Sequence, residues 1–147
     1  HTITFRVKDN DGVWSDNVTS WVDVRKNPEW IYDIQYDIWS VDISLDGEYI
    51  VAGADNDRVY LFNRNSSVPI WSYETDHMVD SVSISANGQY LAAGSSSDEN
   101  LYVFNSNSST PIWTYETDFY VNNVKISANG KYVIAASSSY QDQTISR

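Results

Sequence analysis

The side chains best suited to bind or react are concentrated in two short loops, Asp76-His77-Met78-Val79-Asp80 and Asp118-Phe119-Tyr120-Val121-Asn122. Carboxylates, an imidazole and a phenol within five residues can engage a cationic or hydrogen-bonding ligand, and the rings can cover its apolar part. Asp76, His77, Asp80, Asp118, Phe119 and Tyr120 are therefore the candidate ligand-contacting residues. Both loops occupy the same place in a repeated stretch of sequence yet differ in content. Contact residues vary in that way, and so do drifting copies of a purely structural loop.

The remaining candidates point away from catalysis. Asp9-Asn10-Asp11-Gly12 places alternate oxygens as a partial calcium loop does, which makes Asp9 and Asp11 calcium candidates. The third acidic position and the distal Glu of a full loop are not evident, and the same four residues read as a hairpin turn. Asp33, Glu74 and Glu116 recur at one repeat position; recurrence suggests solvation of a rim, whereas general acid–base work needs two carboxylates in distinct environments. The histidines are His1 and His77, and no Gly-x-Ser-x-Gly elbow or His/Cys cluster accompanies them. No catalytic residue and no cofactor ligand is expected. Asn17, Asn65 and Asn107 head Asn-x-Ser/Thr sequons, about as many as this composition yields by chance; Asn65 and Asn107 fall on the same predicted loop, where a glycan could be carried.

Composition narrows the class. Hydrophobic residues make up 41% of the 147, with six Trp and eleven Tyr, which is globular rather than disordered. The absence of cysteine removes disulfides and thiolate metal sites. No apolar run approaches a bilayer span, so no membrane insertion is expected from this segment. The net charge of −11 lies almost entirely after the first 26 residues, which hold four acids and four bases. Such a surface repels phosphate, so nucleic acid and anionic lipid are not expected as partners; it serves as a solubilising shell or as a face that steers cations.

The elements that position these loops follow from a repeat. Val41-Asp-Ile-Ser-Leu-Asp-Gly47-Glu-Tyr returns as Val82-Ser-Ile-Ser-Ala-Asn-Gly88-Gln-Tyr and Val124-Lys-Ile-Ser-Ala-Asn-Gly130-Lys-Tyr, at spacings of 41 and 42. Trp30-Ile-Tyr32-Asp, Trp71-Ser-Tyr73-Glu and Trp113-Thr-Tyr115-Glu keep the same interval. A period of this length marks one supersecondary unit copied, each copy needing a neighbour to bury its faces. Alternating apolar residues and turn signals divide a unit into four strands, predicted in the first copy at Val41–Ser44, Tyr49–Gly53, Val59–Asn63 and Ile70–Thr75. No stretch carries a capped 3.6-residue apolar period, so no helix is expected. Four short antiparallel strands per unit make a β-propeller blade. The expected fold is all-β: a partial propeller over residues 30–147, with repeats near 30–40, 41–75, 82–117 and 124–147. That gives an outer strand at Trp30–Tyr36, two complete blades, and a third that stops after two or three strands. Trp30, Trp71, Trp113, Tyr32, Tyr73 and Tyr115 are expected to pack between blades. The open edges imply that the remaining blades belong to a longer parent chain, and His1 opens within a strand-like pattern with no Met, so the true amino terminus is expected upstream.

Three resemblances add to this reading. Phe5-Arg-Val-Lys-Asp-Asn-Asp-Gly-Val-Trp-Ser15 resembles the closing strands of PKD-type immunoglobulin-like domains, so residues 1–25 are expected as the two-strand tail of such a β-sandwich and 26–29 as a linker. Ser83 to Ser95 resembles the inner half of a WD repeat, although no Trp-Asp or Gly-His dipeptide occurs. Leu101-Tyr-Val-Phe104 followed by Ile112-Trp-Thr-Tyr-Glu-Thr117 resembles the repeat of pyrroloquinoline-quinone propellers, but their vicinal cysteines are missing and no position matches a quinone ligand. Together the resemblances imply a secreted or cell-surface protein. The expected function is a non-catalytic scaffold or binding module for a protein or glycan. The alternatives are a segment of a quinone-dependent oxidoreductase, or a propeller hydrolase or lyase whose active site lies elsewhere.

Overall fold

The computed structural model describes residues 30–97 and 99–138. The expected sandwich tail and linker, with Asp9, Asp11 and Asn17, lie outside the described residues. The chain divides into two compact units, His1–Ile31 and Tyr32–Arg147, and the second contains the repeats.

Among the described residues of that unit ten strands form. The first sheet holds β1 (Ile38–Ile43), β2 (Tyr49–Ala54), β3 (Arg58–Asn63) and β4 (Trp71–Glu74); the second holds β5 (Val79–Ile84), β6 (Tyr90–Ser95), β7 (Asn100–Asn105) and β8 (Trp113–Glu116); β9 (Tyr120–Ile126) pairs with β10 (Val133–Ser138). Each four-stranded sheet is an antiparallel meander in sequence order. The architecture is therefore two complete blades and the inner strands of a third. The innermost strand starts three residues before the predicted Val41, because a bulge at Trp39 lets the pairing continue to Ile38↔Ala54. Asp80 and Asn122 are the skipped residues at the same point of β5 and β9.

One expectation is corrected. Residues 30–37 form no strand: by the repeat they correspond to β4, which pairs with the third strand of its own sheet, and among the described residues no such third strand precedes them. Tyr32 still packs there, its ring 5.3 Å from Phe62 edge-on and 6.2 Å from Tyr60. Tyr73 does the same one repeat later, 5.2 Å from Phe104 and 5.6 Å from Tyr102.

The sheets stack face to face, and the core is the space between them. Val51, Val59 and Leu61 meet Val82, Ile84, Leu91 and Phe104 in the first gap; Ala92, Leu101 and Val103 meet Val121 and Val124 in the second. Alternation explains the split, because neighbours along β6 and β7 point to opposite gaps. A residue such as Val82, 2% exposed, contributes about 1.5–3 kcal/mol by this burial. Polar ties join the innermost strands. Ser40 Oγ accepts from Val82 N–H at 3.0 Å, and Asp42 Oδ2 accepts from Ile84 N–H at 2.9 Å. Ser81 and Ser83 Oγ do the same for Val124 and Ile126 N–H at 3.0 and 3.3 Å.

The β1–β2 turn and its copies are built alike. Ser44 Oγ accepts from Tyr49 N–H at 3.0 Å while donating to Asp46 Oδ1 at 2.6 Å, and Gly47 takes φ +71°. Gly88 and Gly130 repeat this at +66° and +70° and add a second requirement. A Cβ on Gly88 would lie 2.4 Å from Tyr49 Cδ2, and one on Gly130 would lie 2.5 Å from Tyr90 Cδ2. Each tyrosine ring therefore rests on the turn of the following blade. Only glycine fits there.

Candidate functional site

Meander topology sends the connections alternately to two ends of the stacked sheets. At one rim lie the β2–β3 and β6–β7 turns and the β4–β5 and β8–β9 connections that carry the candidate residues. At the other lie the Ser-x-Asp/Asn-Gly turns and the β3–β4 and β7–β8 loops, with Asn65 and Asn107 both exposed.

The β4–β5 connection is shaped by Thr75, which is 4% exposed. Its N–H and Oγ1 both donate to Asp57 O, at 2.8 and 2.9 Å, and Oγ1 lies 2.6 Å from His77 O. Thr117 holds Glu99 O and Phe119 O in the same manner. Asp57 and Glu99 present those carbonyls from left-handed backbone, at φ +61° and +57°. With these threonines fixing the turn, each connection leaves its next side chains outside: His77 and Asp76 are exposed, and so are Asp118 and Phe119. Tyr120 is half-buried at the start of β9. Asp80 has a structural task, its Oδ2 accepting from Ser96 N–H at 3.0 Å. The six candidates thus share one rim but are not equivalent. His77 and Phe119 are the freest to meet a partner.

Two residues of this rim escaped the sequence reading. Tyr36, 60% exposed, stands in the first copy where His77 and Phe119 stand in the next two, and Trp39, 55% exposed, stands at the bulge filled by Asp80 and Asn122. The signal was present as spacing: Tyr36, His77 and Phe119 are 41 and 42 residues apart.

Charge is unevenly divided between the rims. Asp37, Asp55, Asp57, Asp76, Glu99 and Asp118 belong to the rim of the variable loops, whose sole basic side chain among the described residues is Arg58, bonded to Glu74. At the opposite rim Asp46 and Glu48 are balanced by Arg64 and Lys131, with Arg64 Nε 3.2 Å from Glu48 Oε1. Asp46 is held below the ordinary aspartate range by the Ser44 hydroxyl and then by the Glu48 N–H. No trio of His, Asp and Glu among the described residues is placed to hold a metal ion. A hollow beside Tyr115, Thr117, Phe119 and Ser137 belongs to the uncovered edge of the second sheet.

The inter-sheet aromatics differ by position. Trp30 is half-buried. Trp71 lies 5.4 Å from Phe104 and donates its indole N–H to Ser106 O at 2.8 Å. Trp113 and Tyr115, expected to be packed likewise, are 44% and 62% exposed, because no third strand of the last blade stands opposite them among the described residues.

Comparison with known proteins agrees with this architecture. Solved structures similar to the chain include the β-propeller domain of Cps50 (Swd1) from Myceliophteria thermophila (TM-score 0.62, 14% identity), the WD40 repeats of RRP9 (0.62, 17%) and U3-55K (0.62, 16%). Each match covers 69% of this chain and 32–33% of the solved one, so the chain spans about a third of those propellers. No curated protein matches it. The family match is to WD repeats, and the likenesses to quinone propellers and PKD-type domains gain no support from it. The model described as WD domain, G-beta repeat matches residues 28–63 and 67–105, just over half of the sequence, and the chain accordingly belongs to the WD40 repeat family.

Proposed function

We propose that the chain is a non-catalytic binding module of a secreted or cell-surface protein, and that its partner is a protein held at the rim of the β4–β5 and β8–β9 connections. One contrast carries this reading. At the opposite rim the three copies repeat the same Ser, Gly and Tyr, and the serines, the glycines and the Tyr49 and Tyr90 rings each hold a turn; at this rim Tyr36, His77 and Phe119 differ and are exposed, and the His77 and Phe119 carbonyls are already engaged by threonine hydroxyls. Residues constrained only by contact with something else behave in this way. WD40 domains typically serve as protein-binding scaffolds without catalysis of their own. The surplus of acids disfavours nucleic acid. The exposed sequon residues Asn65 and Asn107 suit a protein displayed outside the cell.

The test uses the full-length protein with Tyr36, His77 and Phe119 replaced together by Ser. Partners recovered by crosslinking should be lost from this variant and retained by one altered at Asn87 and Asn129. Retention by both would remove the rim from the binding role, and recovery of a glycan in place of a protein would replace the ligand class. Dye reduction by the full-length protein supplied with quinone and calcium would instead establish the oxidoreductase alternative.

A further inference from the structure

We infer that the exposed aromatic arc of this rim docks a cationic polypeptide segment rich in Lys or Arg. The inference rests on the reading of the rim as the protein-binding surface and names the chemistry of what it takes. Tyr36 and Phe119 are 60% and 45% exposed on the connections into innermost strands, at the repeat position where His77 is exposed with a sheet on either side of it. Ser40–Val82 and Ser81–Val124 bonds align those strands, so the rings stand at the same end of successive blades. Solvation does not call for large rings at such points.

Charge selects among the occupants of such an arc. The flanking carboxylates Asp37 and Asp118 are exposed, and Arg58, the one described cation at this rim, is already bonded to Glu74. An acidic or phosphorylated segment would meet uncompensated repulsion. A neutral apolar one would desolvate the carboxylates without return. Lys and Arg satisfy both halves of the surface, laying aliphatic stems and cationic heads over the rings while their charge meets the carboxylates. The opposite rim, where Arg64 and Lys131 balance Asp46 and Glu48, offers neither feature.

The experiment is fluorescence anisotropy of the full-length protein with three labelled nonapeptides, one alternating Arg with Gly, one alternating Glu with Gly, and one of Ser and Gly. The basic peptide should bind, weakening steeply as ionic strength rises from about 0.05 to about 0.3 M. Tyr36→Ser and Phe119→Ser, both at the exposed repeat position, should each weaken it about two- to fivefold, the scale of one cation–aromatic contact. Glu48→Gln at the far rim should leave it within about 1.5-fold. Equal loss from the far-rim variant, or no loss from the two aromatic variants, would show diffuse charge attraction and overturn the inference. If the natural partner still depends on this rim while the neutral or acidic peptide binds as well as the basic one, the binding surface stands and its cationic preference falls. Circular dichroism of each variant confirms that lost binding is not lost fold.

Discussion

β4 and β8 are nearly the same strand in two different places. Trp71-Ser-Tyr73-Glu and Trp113-Thr-Tyr115-Glu pair with β3 and β7 in the same register, Leu61↔Trp71 and Val103↔Trp113. Trp71 and Tyr73 are half-buried against Phe104 and Tyr102, whereas Trp113 and Tyr115 are 44% and 62% exposed. Nothing in the four residues themselves makes the difference. It comes from the third strand of the next sheet, present opposite β4 and absent among the described residues opposite β8. In a stacked repeat, a side chain's energetic role is assigned by its neighbour as much as by its own copy.

That contrast predicts unequal costs for one substitution made twice. Trp71→Ala removes ring contacts with Phe104 and the bond to Ser106 O, and should lower unfolding free energy by about 3 kcal/mol. Trp113→Ala should cost about 1 kcal/mol or less, as for an exposed position. Urea unfolding of both variants measures the pair; equal losses would mean that β8 is covered in solution and would erase the contrast.

The glycine turns sharpen the same point. Gly47→Ala and Gly88→Ala both force a Cβ onto left-handed backbone, at a cost of about 1 kcal/mol. Gly88 also faces the Tyr49 ring 2.4 Å from that Cβ, while nothing lies within 4 Å of the one on Gly47. Overpacking should bring Gly88→Ala to about 3 kcal/mol in total. A shift of the same size at both positions would deny the ring-on-turn contact between blades.

A smaller difference separates Asp42 from Ser83, which hold the same place on successive inner strands. Asp42 Oδ2 accepts from Ile84 N–H at 2.9 Å and from Ser83 Oγ at 3.1 Å, and Ser83 Oγ accepts from Ile126 N–H at 3.3 Å. Alanine at Asp42 should cost about 2 kcal/mol, since its bonds are charge-assisted, and at Ser83 about 1 kcal/mol. Amide exchange at Ile84 and Ile126 would report each loss locally.

The repeat made the blades legible because their defining residues obey local rules that survive copying. Gly47, Gly88 and Gly130 mark turns that demand positive φ, and the alternation along β5 to β7 assigns each side chain to one of two gaps. What could not be read was set by partners distant in sequence. The interval linking Tyr36 to His77 was visible, but its meaning required knowing that 30–37 has no third strand beside it among the described residues and so runs as a connection rather than a strand. Asp80 looked like a ligand-contacting carboxylate until Ser96 N–H, 16 residues on, was seen to occupy it. Thr75 recurs as Thr117 at the repeat interval, but its task was not legible there, because it depends on the left-handed Asp57 carbonyl across the sheet.

The faintest effect distinguishes the first turn from its two copies. Asp46 stands where Asn87 and Asn129 stand, and all three accept from a serine hydroxyl, at 2.6, 2.8 and 2.8 Å. Only Asp46 titrates. Its ionised form is favoured by the Ser44 hydroxyl first and the Glu48 N–H second, so its folded pKa lies below the ordinary value. A depressed carboxyl stabilises the fold fully above the unfolded-state pKa of about 4, and that contribution fades as pH falls through the folded value. Asp46→Asn keeps the acceptor oxygen and removes the proton equilibrium. Its unfolding free energy should therefore fall less steeply below about pH 4 than that of the parent, while near neutrality the two differ little. Because Asp46 is exposed the gap will be small, and it is best read as the difference between two urea midpoints followed downward in pH. Parallel curves would mean that the Ser44 bond persists equally with the carboxyl protonated, making the first turn no more sensitive to acid than the asparagine turns beside it.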